Sequence, residues 1–520
     1  MPTITIDNQQ VPAPEGATIL EAAQQLGITI PTLCHLPGRP AHTSCMVCLV
    51  KVDGREPLVP ACGMPVREGM RVESETPEVQ EARRVALELL LSDHLGDCLA
   101  PCHGICPARM NIPRMIRQIA AGQLREALLT VKADIALPAV LGRICPAPCE
   151  KGCRRAVRDE AVSICLLKRY VADADLASGQ PYAAPCRPDS GKRVAIVGAG
   201  PAGLAAAYHL RQLGHRCTVL DDHDEPGGAL CYGPAEAALP RTVLAAEIAT
   251  IKQIGVEWRL GVRVGRDVPL ARLREEFDAV FVAAGPTDAA AAEALGLPAG
   301  GPGLTIDNRT LATPLAGVFA GGDAVRTRRL AVRAVADGKG AAVSIDQYLA
   351  GGLVAGPESP FTVHVGKLKA GEIDRFLVGV SDRPKVKCND LAAGYRDAEA
   401  RAEAQRCLHC DCRKADRCRL REAAQTYGVR TNGYAALRRT FEHDVSHPAV
   451  VYESGKCIAC GICITLASEA REELGLTFVG RGFDVRVAVP FQRGLAEGLA
   501  RVAGACVAAC PTGALAWRHD

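Results

Sequence analysis

The chain has 520 residues, 24 of them cysteine, with 48% hydrophobic and 23% charged residues and a formal net charge of +3. This length holds roughly three to five domains of about 100–200 residues, and near-neutral charge gives no reason to expect nucleic acid or an anionic membrane as partner. Aromatic residues are only 4%, too few for a single-strand stacking platform. No apolar run approaches the ~18 residues of a membrane span, and MPTITIDNQQ lacks the basic start and apolar stretch of a secretory signal. A soluble cytoplasmic protein is expected. There, clustered cysteines point to metal ligation rather than to disulfides.

The expected fold class is multidomain α/β and α+β. Residues 1–78 read as a small β-rich domain: Thr3-Ile4-Thr5-Ile6 alternates like a strand, and Thr18-Ile19-Leu20-Glu21 fits a capping box opening a helix to about Leu26. Residues 79–188 look helical, with Leu87–Leu91 and Met115–Leu129 at helical spacing. Two cysteine triplets, Cys98/Cys102/Cys106 and Cys145/Cys149/Cys153, fall there at loop-like Pro and Gly positions. The stretch ASGQPYAAPCRPDSGK (177–192) is a linker by composition. Residues 189–352 alternate strand and helix patterns. A linker and a four-cysteine group occupy 353–425, with helix expected on either side of that group. A last cysteine-bearing module covers 426–520.

Cys34, Cys45, Cys48 and Cys62 follow C-x10-C-x2-C-x13-C. Two irons need four thiolates, and an inner C-x2-C supplies two to one face of the cluster. Structural zinc is the alternative, but zinc sites seldom place such long arms around one C-x2-C. The strand and helix before these cysteines suit a β-grasp. The span resembles the [2Fe–2S] domain of the large iron–sulfur subunit of respiratory complex I, and of related hydrogenases and formate dehydrogenases.

DHLGDCLAPCHGICPARMNIP, then GRICPAPCEKGC and AVSICLLKRYVAD, resemble the N-terminal domain of the glutamate synthase small subunit family, which includes dihydropyrimidine dehydrogenase. The likeness covers about residues 95–350. It implies two [4Fe–4S] clusters, one on Cys98, Cys102 and Cys153, the other on Cys106, Cys145 and Cys149. Each set lacks a fourth ligand. Where the family has a further cysteine before Cys98, this chain carries His94, whose imidazole can ligate iron; the complex I subunit also has a histidine-ligated cluster after its [2Fe–2S] domain. A solvent-facing histidine at a helix end is the alternative. Cys165 is the candidate fourth ligand of the second set, or else a buried apolar cysteine.

Val194–Val197 is a continuous apolar strand followed by Gly198-Ala199-Gly200-Pro201-Ala202-Gly203. The first glycine permits the tight turn, the second lets backbone approach a pyrophosphate, and the third lets helix and strand pack closely. Asp221 ends the next strand, ~20 residues on, where it can meet a ribose hydroxyl. Pro226-Gly227-Gly228 and GVFAGGDAV, with Gly322 and Asp323, resemble the flavin reductase superfamily, and the resemblance implies FAD with Asp323 near its ribityl phosphate. The run Gly338–Ala342 fits the helix closing that site. In the resembled family a second Rossmann domain, for NADPH, sits between the strand like DAVFVAAGP and the GGD segment. Here Gly285 and Gly321 are only 36 positions apart, where a nucleotide domain needs about 100 residues. Direct hydride uptake from NAD(P)H is therefore not expected.

RCLHCDCRKADRC places Cys407, Cys410, Cys412 and Cys418 within twelve residues, a metal site for [4Fe–4S] or zinc. The last module resembles a two-cluster ferredoxin with half its ligands erased. Cys457, Cys460, Cys463 and Cys510 form one full set, whereas Ala467, Ala500 and Ala503 stand where the other set needs cysteines, which leaves Cys506 over. Its RGFDVRVAVPF insert also resembles the complex I and iron-hydrogenase modules. Cys186, Cys217 and Cys388 stand alone; Cys231 follows the PGG motif, where it could approach the flavin. No hydrolase pattern appears.

The reading is an electron-transfer subunit of a multisubunit cytoplasmic oxidoreductase with one FAD, one [2Fe–2S] and three or four [4Fe–4S] clusters. Its expected partners are other subunits, of formate dehydrogenase, hydrogenase, 2-oxoacid oxidoreductase or diaphorase type, with ferredoxin as a further candidate. The alternatives are a self-sufficient flavin/iron–sulfur reductase using NAD(P)H or a small substrate, and a non-redox assembly scaffold.

Overall fold

The computed structural model describes residues 1–326, 329–431, 433–434 and 438–518. It falls into two compact units. The first comprises Met1–Ala100, Pro360–Gly379 and His409–Asp520, and the second Pro101–Ser359 and Val380–Leu408. The linker and four-cysteine stretch, expected as one segment, is thus divided between them.

The first unit opens with a five-stranded sheet of β1 (Thr3–Ile6), β2 (Gln9–Pro12), β3 (Leu49–Val52), β4 (Val59–Pro60) and β5 (Arg71–Glu73), in the order β2-β1-β5-β3-β4. β1 pairs antiparallel with β2 and parallel with β5. Asp7 and Asn8 both have positive φ (48° and 67°) and make the tight β1–β2 turn, a conformation that Asp and Asn tolerate. The alternation in β1 sends Ile4 and Ile6 into a core with Val11, Ile19, Leu20, Val50 and Val72. The expected capping box is present: the Thr18 hydroxyl accepts from the Glu21 N–H at 3.2 Å, and Glu21 accepts from the Thr18 N–H at 2.7 Å. It starts helix Ile19–Gln25. Helix Pro77–Ser92 is tied to β3 by fully buried Arg83, whose Nε and Nη2 donate to the Leu49 carbonyl at 3.0 and 2.9 Å. The C-terminal part pairs strand Val450–Tyr452 with Leu515–Trp517, antiparallel, and packs helices Ile462–Glu469 and Ala503–Ala509 together.

In the second unit, helices Ile112–Ala120, Leu124–Lys132, Pro138–Ile144 and Ile164–Ala177 form a bundle. The single helical run expected over 115–129 is broken at Gly122, which takes φ +76°. Of the cysteine triplets, Cys98, Cys106, Cys145 and Cys153 lie outside helices as expected, whereas Cys102 and Cys149 fall in short helices, Pro101–Ile105 and Pro148–Lys151. A proline at the first helical turn loses no hydrogen bond there, which is why these loop-like dipeptides open helices instead. The α/β part is a parallel sheet of β6 (Arg193–Val197), β7 (Arg216–Leu220), β8 (Glu257–Arg259), β9 (Ala279–Val282) and β10 (Val318–Ala320), ordered β10-β9-β6-β7-β8. Helices Pro201–Gln212 and Ala331–Leu349 cross at Gly338, where a Cβ would come 2.2 Å from the Ala202 carbonyl oxygen. Between Gly285 and Gly321 lie one short helix, Ala289–Ala294, a hairpin of two-residue strands, and β10.

Segment 380–408 is anchored by buried charge. Glu403 accepts from the Ser163 and Val386 N–H groups at 2.8 Å each and from Arg406 at 2.9 Å, with both side chains fully buried. Arg406 also donates to the Glu160 carbonyl at 2.8 Å and to Asp159 at 3.1 Å. Removing Glu403 strips the buried Arg406 guanidinium of one of its two carboxylate partners and the Ser163 and Val386 N–H groups of their acceptor. Glu403→Ala should therefore cost about 3–5 kcal/mol, read as a lower urea midpoint, and Glu403→Gln should recover part of it.

Candidate redox centres and nucleotide cleft

The four N-terminal thiols, all buried, fall into two pairs. The Cys48 and Cys62 Sγ atoms lie 3.3 Å apart, and the Cys45 N–H donates to Cys34 Sγ at 3.5 Å. The neighbouring Cys45 thiol holds Cys34 down at about 5, and the Cys62 thiol holds Cys48 at about 7. Met46, at φ 54°, turns the chain between Cys45 and Cys48, so these two serve different pairs rather than one face as their spacing led us to expect. Two pairs of thiols suit two irons, each needing two.

In the second unit, Cys165 lies within hydrogen-bonding reach of the Cys145 and Cys149 thiols. The Lys168 ammonium, 4.0 Å from Cys165 Sγ, faces Cys106, Cys145, Cys149 and Cys165 together. The structure thus gathers these four thiols around a buried cation. Lys168 is a site residue that reading the sequence missed; its signal was a Lys168-Arg169 pair directly after the apolar start Ile164–Leu167 of helix Ile164–Ala177. Cys102, Cys153 and Cys407 are partly buried against the core of this same unit.

His94, Cys98, Cys410, Cys412 and Cys418 belong to the first unit. Of the other expected donors, Cys102, Cys153 and Cys407 belong to the second unit. His94 Nδ1 is buried with no hydrogen-bond partner. Burial, with the Lys456 ammonium nearby, lowers its imidazole to about 4.

Cys457, Cys460, Cys463 and Cys510 line one small apolar cavity with Tyr452, Ile462 and Val487. Burial pushes the Cys460 thiol up to about 12. Cys506 is fully buried and donates to the Cys463 carbonyl at 3.7 Å, outside that cavity. Ala467 and Ala503 pack with Leu476, Leu495 and Leu499, so hydrophobic core fills the region that a second ferredoxin cluster would take. Each such leucine contributes about 1.5–3 kcal/mol by burial. Ala500 is exposed.

A cleft of about 800 Å³ lies above the carboxyl ends of β6 and β7, lined by Gly198, Gly200, Pro201, Ala202, Asp221, Gly228 and Asp323 among others. Gly198 has φ +106°, and a Cβ there would come 2.3 Å from the Ala283 oxygen. A Cβ on Gly203 would come 1.9 Å from the Gly198 oxygen, the close helix–strand approach expected of the third glycine. Gly227 and Gly228 also take positive φ, 136° and 51°, and a Cβ on Gly228 would meet Gly200 Cα at 2.9 Å. Asp221 accepts from the Ala199 N–H at 2.6 Å and from the His223 N–H at 2.9 Å, which braces the glycine turn. Gly322, at φ +67°, donates its N–H to Asp337 at 3.0 Å. Asp323 also lines a second cavity of about 250 Å³ with Pro107, Asn308 and Arg326. Cys231 donates to the Pro226 carbonyl at 3.6 Å and does not line the cleft. Cys217 is fully buried in β7, Cys186 is exposed, and Cys388 donates to the Asp390 carbonyl at 3.2 Å.

These placements separate the two last cysteines by experiment. Cys510→Ser is expected to lower bound iron by about four per chain, whereas Cys506→Ser should leave it unchanged, as iron and sulfide analysis of anaerobic protein will read.

Residues 1–77 match the family model described as a 2Fe-2S iron–sulfur cluster binding domain, residues 78–180 the one for dihydropyrimidine dehydrogenase domain II, 4Fe-4S cluster, and residues 196–233 an NAD(P)-binding Rossmann-like domain. Among curated proteins, the chain is 42% identical over 207 residues to the NADP(+)-dependent formate dehydrogenase subunit beta of Moorella thermoacetica, covering 36% of this chain and 29% of that one. It is 41% identical over 189 residues to the NADPH-Fe(3+) oxidoreductase subunit beta of Geobacter sulfurreducens, covering 36% and 28%. It is 38% identical over 192 residues to the glutamate synthase [NADPH] small chain of Mycobacterium tuberculosis, covering 37% and 39%. The chain thus spans well under half the length of each of these relatives. It carries matches to 2Fe-2S, 4Fe-4S and Rossmann-like models in that order and is similar, over about a third of its length, to subunits of these oxidoreductases.

Proposed function

We propose that this chain is an FAD- and iron–sulfur-containing electron-transfer subunit of a larger cytoplasmic oxidoreductase. It relays electrons between a catalytic partner subunit and another acceptor. The relatives' names favour a formate dehydrogenase or an NADPH-dependent reductase as the assembly. In this reading Cys34, Cys45, Cys48 and Cys62 hold a [2Fe–2S] cluster, and Cys106, Cys145, Cys149 and Cys165 hold a [4Fe–4S], as do Cys457, Cys460, Cys463 and Cys510. FAD lies in the cleft over Gly198, Gly200 and Gly203, with the helix Pro201–Gln212 aimed at its pyrophosphate. FAD supplies the junction between one- and two-electron chemistry, and the clusters pass single electrons.

One observation carries this reading: within each unit, candidate redox sites lie side by side. Cys34, Cys45, Cys98 and Cys460 share one hydrophobic core of the first unit with Leu33, Leu91 and Ile462. His42 Nε2, on the [2Fe–2S] loop, lies 3.2 Å from the Thr465 hydroxyl on the helix that carries Cys463, and Arg39 pairs with Glu469 there at 2.8 Å. In the second unit, Asp323 borders both the nucleotide cleft and the cavity at Pro107, the residue after Cys106. Lys339, on the helix behind the cleft, donates to the Ala108 carbonyl at 3.3 Å. Apolar packing between neighbouring centres excludes water and holds their positions, which is what a relay requires of its protein.

The short segment between Gly285 and Gly321 leaves the flavin to be reduced through clusters or a partner rather than by NAD(P)H bound in this chain. The anaerobically purified chain should hold one flavin and roughly 14 to 18 irons, two from a [2Fe–2S] and four from each of three or four [4Fe–4S]. NADH and NADPH should leave its flavin oxidised, while dithionite bleaches it. Rapid bleaching by either nicotinamide would sink the partner-fed reading in favour of a self-sufficient reductase, and fewer than about ten irons per chain would sink the relay. Gly198→Ala should abolish flavin retention with iron unchanged, because the added Cβ has only 2.3 Å to the Ala283 oxygen.

A further inference from the structure

We propose that His94, Cys98, Cys412 and Cys418, drawn from chain segments more than 300 residues apart in sequence, hold one [4Fe–4S] cluster. This regroups the thiols that their motifs assign elsewhere: Cys98 leaves Cys102 and Cys153, and Cys412 and Cys418 leave Cys407. The inference rests on reading the clustered thiols as iron–sulfur ligands and concerns which of them share a cluster.

Backbone register carries the argument first. A parallel bridge pairs Asp97 with Asp411, so the next residues, Cys98 and Cys412, run side by side in the same direction. Asp97 is buried and accepts from the Val365 N–H at 2.9 Å, and the Cys98 N–H donates to the Val363 carbonyl at 3.2 Å. These bonds hold the segment on the side of the unit that carries Cys412. The Leu95 N–H donates to the Gly455 carbonyl at 2.7 Å, and a Cβ on Gly96 would come 2.6 Å from Lys456 Cε. Residues 94–98 are thus pressed against both the 409–418 loop and the turn before Cys457.

The side chains converge accordingly. Cys98 lies within electrostatic reach of both Cys412 and Cys418, and Cys418 of Cys412. The Cys412 thiol is buried over Gly513, where a Cβ would come 2.1 Å from its sulfur. Cys418 Sγ lies 3.9 Å from the Pro511 carbonyl. His94 faces Lys456, which in turn faces Cys412, and its buried Nδ1 has no hydrogen-bond partner. A buried ring nitrogen without a partner is costly unless something binds it.

Zinc and a four-iron cluster ask for different ligand spacings. Tetrahedral zinc at about 2.3 Å from sulfur would draw its thiolates to about 3.8 Å of one another. Among the described residues no three cysteine sulfurs, nor any three ligand atoms that include one, lie within 4.8 Å of one another. A cuboidal four-iron cluster holds its ligands at separate corners, farther apart than a single tetrahedral ion does.

The test uses the full chain, purified anaerobically and reduced with dithionite. Cys98→Ser and Cys412→Ser should each remove the same electron paramagnetic resonance signal and about four irons, and the double variant should lose no more than either single one. Loss of two distinct signals and about eight irons in the double variant would overturn the grouping. His94→Cys keeps a ligand in place. It should retain the iron, lower the midpoint potential of that one cluster, and delete its nitrogen hyperfine coupling. Coupling and potential unchanged in His94→Cys would overturn the histidine's place, and zinc lost from Cys412→Ser in place of iron would overturn the cluster itself. An iron-poor parent chain would refute the relay as a whole, whereas additive losses from an iron-replete parent refute only the grouping.

Discussion

A buried thiol and a buried thiolate make opposite demands. The neutral thiol packs like a small hydrophobe, but the thiolate that binds iron is stable inside a protein only when metal or cation takes up its charge. This chain buries Cys34, Cys45, Cys48, Cys62, Cys98, Cys106, Cys149, Cys412 and Cys460 in apolar surroundings. Where burial dominates, as at Cys460, the thiol is pushed up to about 12. Metal ligation must displace those protons, so site assembly and folding are coupled. The rest of the architecture follows from bringing such groups together while keeping water out.

Two devices do this. In the first unit, the turn at Met46, the Asp97–Asp411 bridge and the strand pair Val450–Tyr452 with Leu515–Trp517 bring cysteines from distant segments into shared core. In the second, charge does the fixing: Glu403 and Arg406 clasp segment 380–408 onto the bundle, and Lys168 stands among four thiols. A cation there lowers the cost of their thiolate forms before iron arrives. The absent ferredoxin cluster shows the converse. Ala467 and Ala503, standing where the resembled ferredoxin has ligands, pack with leucines.

Much of this was legible in the sequence. The capping box at Thr18, the glycine turn at Gly198 and the complete set Cys457, Cys460, Cys463 and Cys510 all appeared as local patterns, because each depends on residues a few positions apart or on a turn with one workable chemistry. The pairing of Cys45 with Cys34 instead of with Cys48 was not legible, since a left-handed Met46 carries no sequence mark. Nor was the position of Cys98. Its spacing to Cys102 suggested one site, while hydrogen bonds to Val363 and the bridge to Asp411 draw it toward residues more than 300 positions later.

By itself the sequence determined the module types, their order along the chain, the glycine turn of the nucleotide cleft and which residues can act as metal donors. These depend on backbone permissiveness and on ligand chemistry, and both are local. Only the tertiary structure decided which donors meet. A cluster's ligand set is a distance condition among side chains on separate segments, and those distances are set by strand register, helix packing and buried ion pairs that no spacing motif records. The Cys407 group is the plainest case: Cys407 packs against the core of the second unit, while Cys412, five residues later, belongs to the first.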